Sequence, residues 1–435
     1  IAGVIITSAK NTFFAGGDLN ELIKVGNEDA KDFHDRVLEL KQQLRTLETL
    51  GKPVVAAING AALGGGWEIC LACHHRIALD HPSLQIGLPE VTLGLLPGGG
   101  GVVRMVRKLG LEKALPYLLE GKKVRAAQAL QAGLVDKLVE GTDPLAAGLA
   151  YVRELLAANA PVRRTRDLAI AEPQAALAWL DAQKAETAKK SRGLFSPLKI
   201  IECVQAALQL PFDEGMVRER ALFMECLDSP QRAGLIHAFF AEREVVKVPE
   251  AQAAQPRPVA SIAVIGGGTM GAGIAVAALD AGLPVTMIER DAESIARGRA
   301  NVEKVYNALV AKGRMTDAAQ AAVMARYTGS TDYADIAQVD LVIEAVFEDI
   351  EVKKAVFREL DRVCKPGAVL ATNTSYLDID AIAAATSRPQ DVIGLHFFSP
   401  ANIMKLLEIV VPAKVAPDVV ATAFELAKKL KKVPV

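Results

Sequence analysis

The sequence shows no surplus of charge of either sign. Its 50 lysine and arginine residues are balanced by 51 aspartate and glutamate residues, for a formal net charge of −1. Proteins that bind nucleic acid or anionic membranes draw much of their affinity from a basic surface. The balanced composition therefore argues against both functions, and the length of 435 residues predicts a globular protein of two or three domains.

Cysteine is also scarce, with five residues spread along the chain. An odd and sparse set favours a reducing compartment over a disulfide framework. Two of the five lie in CLACHH, residues 70–75, which formally matches a haem-attachment pattern and would also suit zinc. Because no second ligand pair accompanies it, we interpret Cys70 and Cys73 as small buried thiols on a helix.

Long uncharged runs are rare, and one of them has the length of a membrane span. Residues 258–279 contain 22 positions without a charge. Five of these positions are glycines, which are typical of a turn between two regular elements. A strand, a tight turn and a helix therefore explain the run better than a membrane-spanning helix.

The pattern of apolar segments predicts two α/β domains joined by helices. Apolar, β-branched runs separated by charged helical stretches place the first domain at residues 1–190. A helical linker follows at 191–257, with helical stretches at 196–210 and 213–243. Over residues 258–435, strand-like runs alternate with helical runs, which indicates a mostly parallel, doubly wound sheet.

The two ends of the sequence do not look like natural termini. The chain begins with Ile1 rather than methionine, inside a strand-like pattern, and it stops directly after an amphipathic helix. We therefore expect it to be a fragment of a longer protein, so that the lack of a signal peptide carries little weight.

Three consecutive glycines occur twice, and the second run has the spacing of a dinucleotide-binding turn. Gly266, Gly268 and Gly271 follow a strand pattern and open a helix pattern. The first glycine permits a tight turn, the second lets the backbone approach a pyrophosphate, and the third lets the helix pack on the strand. Glu289 ends the next strand pattern and suits a ribose hydroxyl. The pattern predicts NAD binding, with a flavin or a sheet without cofactor as alternatives.

A histidine and a glutamate near the end of the sequence suit acid–base chemistry. His396 ends a strand pattern and Glu408 lies in the next apolar run. A carboxylate orients a histidine ring and stabilises its charged form, which helps to remove the proton of an alcohol that is losing hydride. On spacing alone, however, a surface histidine and an unrelated glutamate are the better explanation.

Residues 261–435 resemble the 3-hydroxyacyl-CoA dehydrogenases through IGGGTMGAGIA, DLVIEAVFEDIEVKK, TNTSYL and HFFSPANIMKLLE. The resemblance implies that His396 is the catalytic base and Glu408 its partner. It implies that Ser375 lies near both the cofactor and the substrate hydroxyl, and that the family's helical C-terminal domain lies outside this sequence. Besides the three fingerprint glycines, the positions implied to line NAD are Met270, Glu289, Ala345, Val346, Glu348, Lys353, Ser375 and Ser399, the last standing where asparagine is common.

The first glycine run, ALGGGWE at residues 62–68, does not suit a phosphate. It lacks the lysine and hydroxyl residue of a phosphate-binding loop, and the charge of Glu68 would repel a phosphate. A bare backbone N–H beside a carboxylate suits thioester chemistry instead. Hydration of a conjugated thioester develops negative charge on the thioester oxygen, which backbone N–H groups stabilise.

Residues 1–190 resemble the enoyl-CoA hydratase (crotonase) family through FFAGGDLNEL, VVAAINGAALGGGWEICLA and LPEVTLGLLPGGGG. The resemblance implies an oxyanion hole made by the N–H groups of Gly17 and Gly65, and an acid–base pair of Glu68 and Glu90. It also implies a CoA thioester as the substrate. The expected fold class is therefore α/β, with a crotonase-type ββα spiral domain, a helical linker and a Rossmann-type doubly wound parallel sheet domain.

The two resemblances in this order are typical of the multifunctional enzymes of fatty-acid β-oxidation. They imply hydration of trans-2-enoyl-CoA to L-3-hydroxyacyl-CoA, NAD-dependent oxidation to 3-oxoacyl-CoA and, in many relatives, Δ3–Δ2 isomerisation. We expect acyl-CoA substrates, no nucleic acid, no membrane span and no metal. A thiolase subunit is a candidate partner, and the expected location is the cytoplasm in a bacterium or the peroxisome in a eukaryote. A non-catalytic module that binds CoA and NAD is the alternative.

Overall fold

The computed structural model describes residues 1–24, 30–170, 173–252 and 254–435. It divides into two compact units, Ile1–Phe239 and Phe240–Val435. Within these described ranges, no helix combines the length and the apolar character needed to cross a membrane.

The first unit is built on a four-stranded parallel sheet with a separate two-stranded ladder. Its strands are β1 (Val4–Ile6), β2 (Val54–Ile58), β3 (Ala62–Leu63), β4 (His75–Leu79), β5 (Ile86–Gly87) and β6 (Lys137–Val139). The larger sheet has the order β1-β2-β4-β6, and β3 pairs with β5 in the smaller ladder. Strand β2 is buried along its whole length, as its unbroken run of valine, alanine and isoleucine predicts.

Helices surround these strands and make up most of the first unit. They are α1 (Leu19–Lys24), α2 (Ala30–Thr49), α3 (Gly65–Ala72), α4 (Gly101–Leu109), α5 (Leu111–Glu120), α6 (Ala126–Gln131), α7 (Pro144–Ala157), α8 (Pro173–Lys190), α9 (Phe195–Gln209) and α10 (Phe212–Leu227), followed by α11 (Pro230–Glu244), whose residues after Phe239 belong to the second unit. Short 3-10 helices lie at Pro89–Leu93 and Thr165–Asp167.

Two helices that the sequence assigned to a linker contribute to the core of this unit. Ile200 and Val204 on α9 and Leu222 and Phe223 on α10 belong to the same buried cluster as the residues of β2 and α3. The prediction of one helical stretch at 213–243 is wrong. The helix α10 ends at Leu227 with Asp228 as its C-cap, and a separate helix, α11, begins at Pro230, a residue suited to the first turn of a helix.

The second unit is an eight-stranded sheet with helices between its strands. The strands are β7 (Ile262–Ile265), β8 (Val285–Ile288), β9 (Tyr327–Ser330), β10 (Leu341–Glu344), β11 (Val369–Thr372), β12 (Val392–Phe397), β13 (Leu406–Val410) and β14 (Val433–Pro434). The helices are α12 (Pro249–Gln252), α13 (Thr269–Asp280), α14 (Ala292–Ala311), α15 (Asp317–Met324), α16 (Ile350–Val363), α17 (Ile379–Ala383) and α18 (Pro417–Lys429), with 3-10 turns at Tyr333–Ile336 and Pro389–Asp391.

The strand order of the second unit creates a crevice at one edge of the sheet. The order is β14-β13-β12-β11-β10-β7-β8-β9, and every neighbouring pair is parallel except β12 with β13. The predicted mostly parallel, doubly wound sheet is therefore confirmed, and the uncharged run 258–279 forms β7, a turn and α13. The chain continues from β7 to β8 on one side and later adds β10 on the other, which opens a crevice at the carboxyl ends of β7 and β10.

We predict that Gly271→Ala destabilises the second unit. A Cβ at Gly271 would lie 1.8 Å from the carbonyl oxygen of Gly266. Relieving that overlap should cost about 2–3 kcal/mol, more than the gain of roughly 0.5–1 kcal/mol for alanine over glycine in a helix. Urea unfolding of the purified protein measures the difference. Gly268→Ala is the matched control, because a Cβ there meets no atom within 4 Å; equal stabilities of the two variants would contradict the prediction.

Candidate active sites

The first candidate site lies where β3 leads into α3. Gly64 has φ 56° and ψ −126°, a conformation that favours glycine, and it caps the helix that begins at Gly65. The N–H of Gly65 therefore has no partner inside the helix. Gly16, also at positive φ, lies beside this turn, with its Cα 3.6 Å from where a Cβ of Gly64 would be. The loop that carries Gly17 is thus brought next to Gly65, and neither N–H donates a hydrogen bond among the described residues.

Glu68 points into a turn made of consecutive glycines. It is 5% exposed, and its Oε1 accepts hydrogen bonds from the N–H groups of Gly99, at 2.6 Å, and Gly101, at 2.8 Å. Burial, followed by the negative charge of Glu219, raises the pKa of Glu68 to about 7 even though the two backbone bonds act in the opposite direction. Glu68 is therefore a carboxyl group that exchanges a proton near neutral pH.

Glu90 is the second carboxylate of this site and is held differently. It is the second residue of the 3-10 helix Pro89–Leu93, and its Oε1 lies 3.0 Å from the position of a Cβ on Gly64. Its Oε2 is buried without a hydrogen-bond partner among the described residues. Burial, and next the charge of Glu68, hold the pKa of Glu90 well above its usual range. Glu90 therefore keeps its proton more firmly than a solvated glutamate does.

A third carboxylate of this region, Glu219 on α10, was not predicted. It is fully buried, and its Oε1 accepts from the N–H of Gly100 at 2.7 Å. Its Oε2 accepts from the N–H groups of Val102, at 3.1 Å, and Val103, at 3.3 Å. The buried Lys41 on α2 forms an ion pair with it at 3.2 Å.

The sequence does carry a signal for Glu219. In α10 it stands three residues after Met216 and three before Leu222, so it lies on the same face of the helix as buried apolar side chains. A charged residue in the middle of an apolar stripe indicates a buried partner rather than a solvated surface.

The two cysteines of CLACHH lie in the core near this site. Cys70 is 0% exposed and Cys73 is 1% exposed, and neither forms a disulfide. Burial raises the pKa of Cys73 to about 12. The expectation of small buried thiols is confirmed.

The second candidate site lies at the carboxyl ends of the strands of the second unit. Gly266 follows β7 with φ 99°, and a Cβ there would lie 2.8 Å from the carbonyl oxygen of Ala345, which follows β10. Gly268 caps α13, and open space surrounds the position of its missing Cβ. Glu289 follows β8, and its Oε1 accepts from the N–H of Gly267 at 2.8 Å. An open glycine cradle at a helix N-terminus beside a carboxylate fits a dinucleotide with a free ribose hydroxyl.

A buried ion network supports this edge of the sheet. Lys353 on α16 is 1% exposed and donates to Glu344 at 2.8 Å and to Glu348 at 3.1 Å. Glu348 also accepts from the hydroxyl of Thr374 and from the N–H of Ser375. Burial opposes ionisation of Glu348, but these bonds and Lys353 prevail and lower its pKa. Glu344, the buried last residue of β10, was not predicted as part of the site.

His396 and Glu408 are direct partners across two antiparallel strands. They face each other in the register of β12 and β13, and Nδ1 of His396 lies 2.7 Å from Oε2 of Glu408. Nε2 of the same ring lies 3.2 Å from Oγ of Ser375. The spacing of twelve residues, which alone favoured an unrelated pair, is the spacing of a strand, a loop and a returning strand.

The remaining predicted positions lie along the same edge. Met270 is half-buried in the first turn of α13, and Val346 is half-buried after β10. Ser399 is exposed and precedes Ala401, whose Cβ lies 3.1 Å from the position of a Cβ on Gly273 of α13. All the residues predicted to line the dinucleotide therefore lie on elements that meet at this edge.

Each half of the chain matches the model of a known domain family. Residues 1–186 match the enoyl-CoA hydratase/isomerase family, and residues 261–435 match the NAD-binding domain of 3-hydroxyacyl-CoA dehydrogenase. The expected combination of a hydratase-type domain and a dehydrogenase-type NAD-binding domain is confirmed.

Curated relatives match the whole of this chain and are longer than it. A peroxisomal bifunctional enzyme from Cavia porcellus is 40% identical over all of this chain, which spans 59% of that protein. A fatty acid oxidation complex subunit alpha from Shewanella amazonensis is 38% identical over all of this chain, which spans 62% of that protein. Among solved structures, the 3-hydroxybutyryl-CoA dehydrogenase from Escherichia coli K12 is 42% identical over 41% of this chain and 38% of its own, with a TM-score of 0.40.

We predict that Glu68 makes the stability of the first unit depend on pH. Because the pKa of Glu68 is raised from 4.5 to about 7, the folded chain binds this proton more tightly than the unfolded chain. The free energy of unfolding should therefore fall as pH rises from about 4.5 to about 7, by at most about 3 kcal/mol from this group.

Glu68→Gln should remove that fall, so that the variant gains stability relative to the unmodified protein between pH 4.5 and pH 8. Urea unfolding at a series of pH values measures it. Glu154→Gln, at a side chain 59% exposed, is the control and should leave the pH dependence unchanged. If plots of the free energy of unfolding against pH were parallel for Glu68→Gln and the unmodified protein, Glu68 would not be the source of the pH dependence.

Proposed function

We propose a two-step function for this chain, which joins a domain of the enoyl-CoA hydratase/isomerase family to the NAD-binding domain of a 3-hydroxyacyl-CoA dehydrogenase. The first unit hydrates trans-2-enoyl-CoA to L-3-hydroxyacyl-CoA, and the second oxidises that product to 3-oxoacyl-CoA with NAD⁺. The observation that carries the proposal is the pair of carboxyl groups with raised pKa, the buried Glu68 and the half-buried Glu90, beside the N–H groups of Gly17 and Gly65, which donate to no group among the described residues. The chain spans about 60% of the length of the two relatives described above, 59% and 62%.

The different environments of the two glutamates assign their roles in hydration. Glu68 has two backbone N–H donors on one oxygen, which stabilise its ionised form. It is therefore the member of the pair that loses its proton more readily, and it accepts the proton of the attacking water. Glu90 has no such donors on its buried Oε2 and keeps its proton, so it donates that proton to C2 of the thioester. The oxygen of water bonds to C3, and the electron pair of the C2–C3 double bond forms the new C2–H bond. Transfer of a proton from Glu68 to Glu90 then resets the site.

The N–H groups of Gly17 and Gly65 bind the thioester oxygen. Negative charge moves onto this oxygen before C2 is protonated, and preorganised donors stabilise it by roughly 3 kcal/mol each. A side chain at Gly64 would meet Glu90, so the glycine run also keeps the second carboxylate close to the reacting carbons. Shift of a Δ3 double bond to Δ2 needs only proton transfer at C2 and C4 beside the same oxyanion, so isomerisation is a further proposed activity of this site.

The residues of the second site suit oxidation of the 3-hydroxyl group. Ser375 positions the hydroxyl, Nε2 of His396 accepts its proton, and Glu408 holds Nδ1 and stabilises the charged ring. NAD⁺, when bound by the glycine cradle and Glu289, supplies the hydride acceptor. A 2′-phosphate in place of the ribose hydroxyl would meet the charge of Glu289, while the side chain of Arg290 is 81% exposed and pairs with Asp291. The site therefore favours NAD⁺ over NADP⁺.

Partners and location follow from the same proposal. The reaction product, a 3-oxoacyl-CoA, is the substrate of a thiolase, and one relative is described as a subunit of a complex. A thiolase subunit is therefore the proposed partner, in addition to acyl-CoA substrates. The relatives include peroxisomal enzymes and bacterial ones, so the proposed location is the peroxisome in a eukaryote and the cytoplasm in a bacterium. A chain that binds CoA and NAD without turnover is the alternative, and it would leave crotonyl-CoA unchanged.

We predict that Glu90→Gln lowers the rate of hydration about 10²- to 10⁴-fold, because it removes the proton donor. The decrease in ultraviolet absorbance of crotonyl-CoA measures the rate. Glu68→Gln should cause a loss of similar size, since the base is removed instead. NAD⁺ binding, followed by calorimetry, should be unchanged in both variants. A joint loss of hydration and NAD⁺ binding in a folded variant would contradict the assignment of two separate sites.

We predict that His396→Gln in the full-length protein abolishes NADH formation from L-3-hydroxybutyryl-CoA, because the hydroxyl proton then has no acceptor. NAD⁺ affinity should change less than about twofold, since the cradle at Gly266–Gly271 is untouched, and hydration should persist. Glu408→Gln should retain partial activity with a changed pH profile, because the ring loses its charged partner but keeps its place in the sheet. A large loss of NAD⁺ affinity in His396→Gln would instead identify His396 as a cofactor contact.

A further inference from the structure

One short backbone segment holds two buried carboxylates from opposite sides. The N–H groups of Gly99 and Gly101 donate to Glu68, whereas the N–H groups of Gly100, Val102 and Val103 donate to Glu219. This segment, residues 99–103, is the first turn of α4 and the glycines before it, and we call it the shared turn. Any movement of α10 that displaces Glu219 therefore displaces the donors of Glu68.

The shared turn is packed too closely for Glu219 to move independently of it. Gly100 has φ 104°, and a Cβ there would lie 2.5 Å from Cε of Met216 on α10. Lys41 donates to Glu219 at 3.2 Å and to the carbonyl oxygen of Met216 at 2.8 Å, which fixes the same turn of α10. The fold thus connects α2 and α10 to the backbone that holds Glu68.

Among the described residues, three carboxyl groups lie around the shared turn: Glu68, Glu90 and Glu219. The buried ammonium group of Lys41 is the direct ion partner of Glu219. Further titratable or charged groups packed near the shared turn are Arg104 of α4, which donates to the carbonyl oxygen of Gly99 at 3.1 Å, and Cys203 of α9. The buried Glu48 of α2 is the ion partner of Arg104, at 3.2 Å. Glu219 and Lys41 act on Glu68 with opposite sign: the first raises its pKa and the second lowers it.

We propose that Glu219 and Lys41 form a positioning pair for the hydratase site, which fixes the shared turn and sets the proton affinity of Glu68 without touching the substrate. The inference builds on the proposed role of Glu68 as the base, and it assigns to α10, outside the predicted hydratase domain of residues 1–190, a part in that chemistry. Because the two members carry opposite charge, removing each should change the pH dependence of hydration in opposite directions.

The test compares the two single variants over a range of pH. Hydration decreases at low pH when Glu68 becomes protonated. This decrease is the acidic limb of the plot of hydration rate against pH. In Glu219→Gln the midpoint of the limb should move to lower pH by about 0.5–1 unit, less than the 1–3 units expected of a charge in direct contact. In Lys41→Met it should move to higher pH by a smaller amount, because the charge of Lys41 acts on Glu68 more weakly than that of Glu219. A purely structural pair would lower the rate at every pH and leave the midpoint of the limb in place, which would overturn the proposal.

Two further variants keep the result interpretable. The double variant Lys41→Met/Glu219→Gln removes both members of the ion pair, so neither is left buried without its partner. The acidic limb of its pH–rate profile should lie between those of the two single variants. If a single variant does not fold, the double variant must still show a midpoint at lower pH than the unmodified protein, because the charge of Glu219 acts more strongly on Glu68 than that of Lys41. Asp136→Asn is the matched control, because it removes a half-buried carboxylate paired with Arg163 at 2.9 Å in the same unit. Its limb should not move.

A second readout separates this proposal from the proposed function. The carboxyl carbon of Glu68, labelled with ¹³C-glutamate and assigned by its absence in Glu68→Gln, reports its titration by NMR without any turnover. Shifts of that titration in opposite directions, in a chain that does not hydrate crotonyl-CoA, would support the positioning pair and refute the hydratase. If both single variants hydrate crotonyl-CoA, and neither the acidic limb of the pH–rate profile nor the NMR titration of Glu68 moves, the positioning pair is refuted and the proposed hydratase activity stands.

Discussion

The two hydrogen bonds from Gly99 and Gly101 to one oxygen of Glu68 are the contact on which the first unit is organised. A buried carboxylate without donors would cost the fold several kcal/mol or hold its proton permanently. Backbone donors keep Glu68 ionisable near neutrality, and they cannot rotate away as a side chain can. The glycines are therefore needed less for flexibility than for the space that two carboxylates and a helix require around one turn.

The second unit uses backbone donors in the same way at the edge of its sheet. The N–H of Gly267 holds Glu289, the N–H of Val346 holds Glu344, and the N–H of Ser375 holds Glu348. Each of these groups lies just beyond the carboxyl end of a strand, where the ladder stops and the backbone has donors to spare. Carboxylates collect at this edge because the fold leaves N–H groups there, and the buried Lys353 balances part of their charge.

What the sequence could predict was set by distance along the chain. The turn Gly266–Gly271, with the strand before it and the helix after it, lies within about twenty residues, so local pattern was sufficient to predict the fold around it. The ion pair of Lys41 with Glu219 joins residues 178 positions apart, and no local pattern connects them. Glu344 was overlooked because, as the last residue of a buried strand, its charge gave no sign that Lys353 would cover it. The helices α9 and α10 were predicted as helices, but their share in the core of the first unit depends on tertiary packing.

The pairing of His396 with Glu408 has a consequence for how this protein tolerates change. The two side chains meet because β12 and β13 run antiparallel in a fixed register, so their alignment depends on the backbone ladder and not on the segment that joins the strands. A change of length within residues 398–405 does not by itself shift that register, so the two groups can stay opposed. A single-residue deletion inside either strand reverses the face on which the following side chains lie. A change in length, in evolution or by engineering, is therefore compatible with the His396–Glu408 pair when it falls in the loop between the strands. It is incompatible with the pair when it falls inside a strand and reverses the side chains that follow.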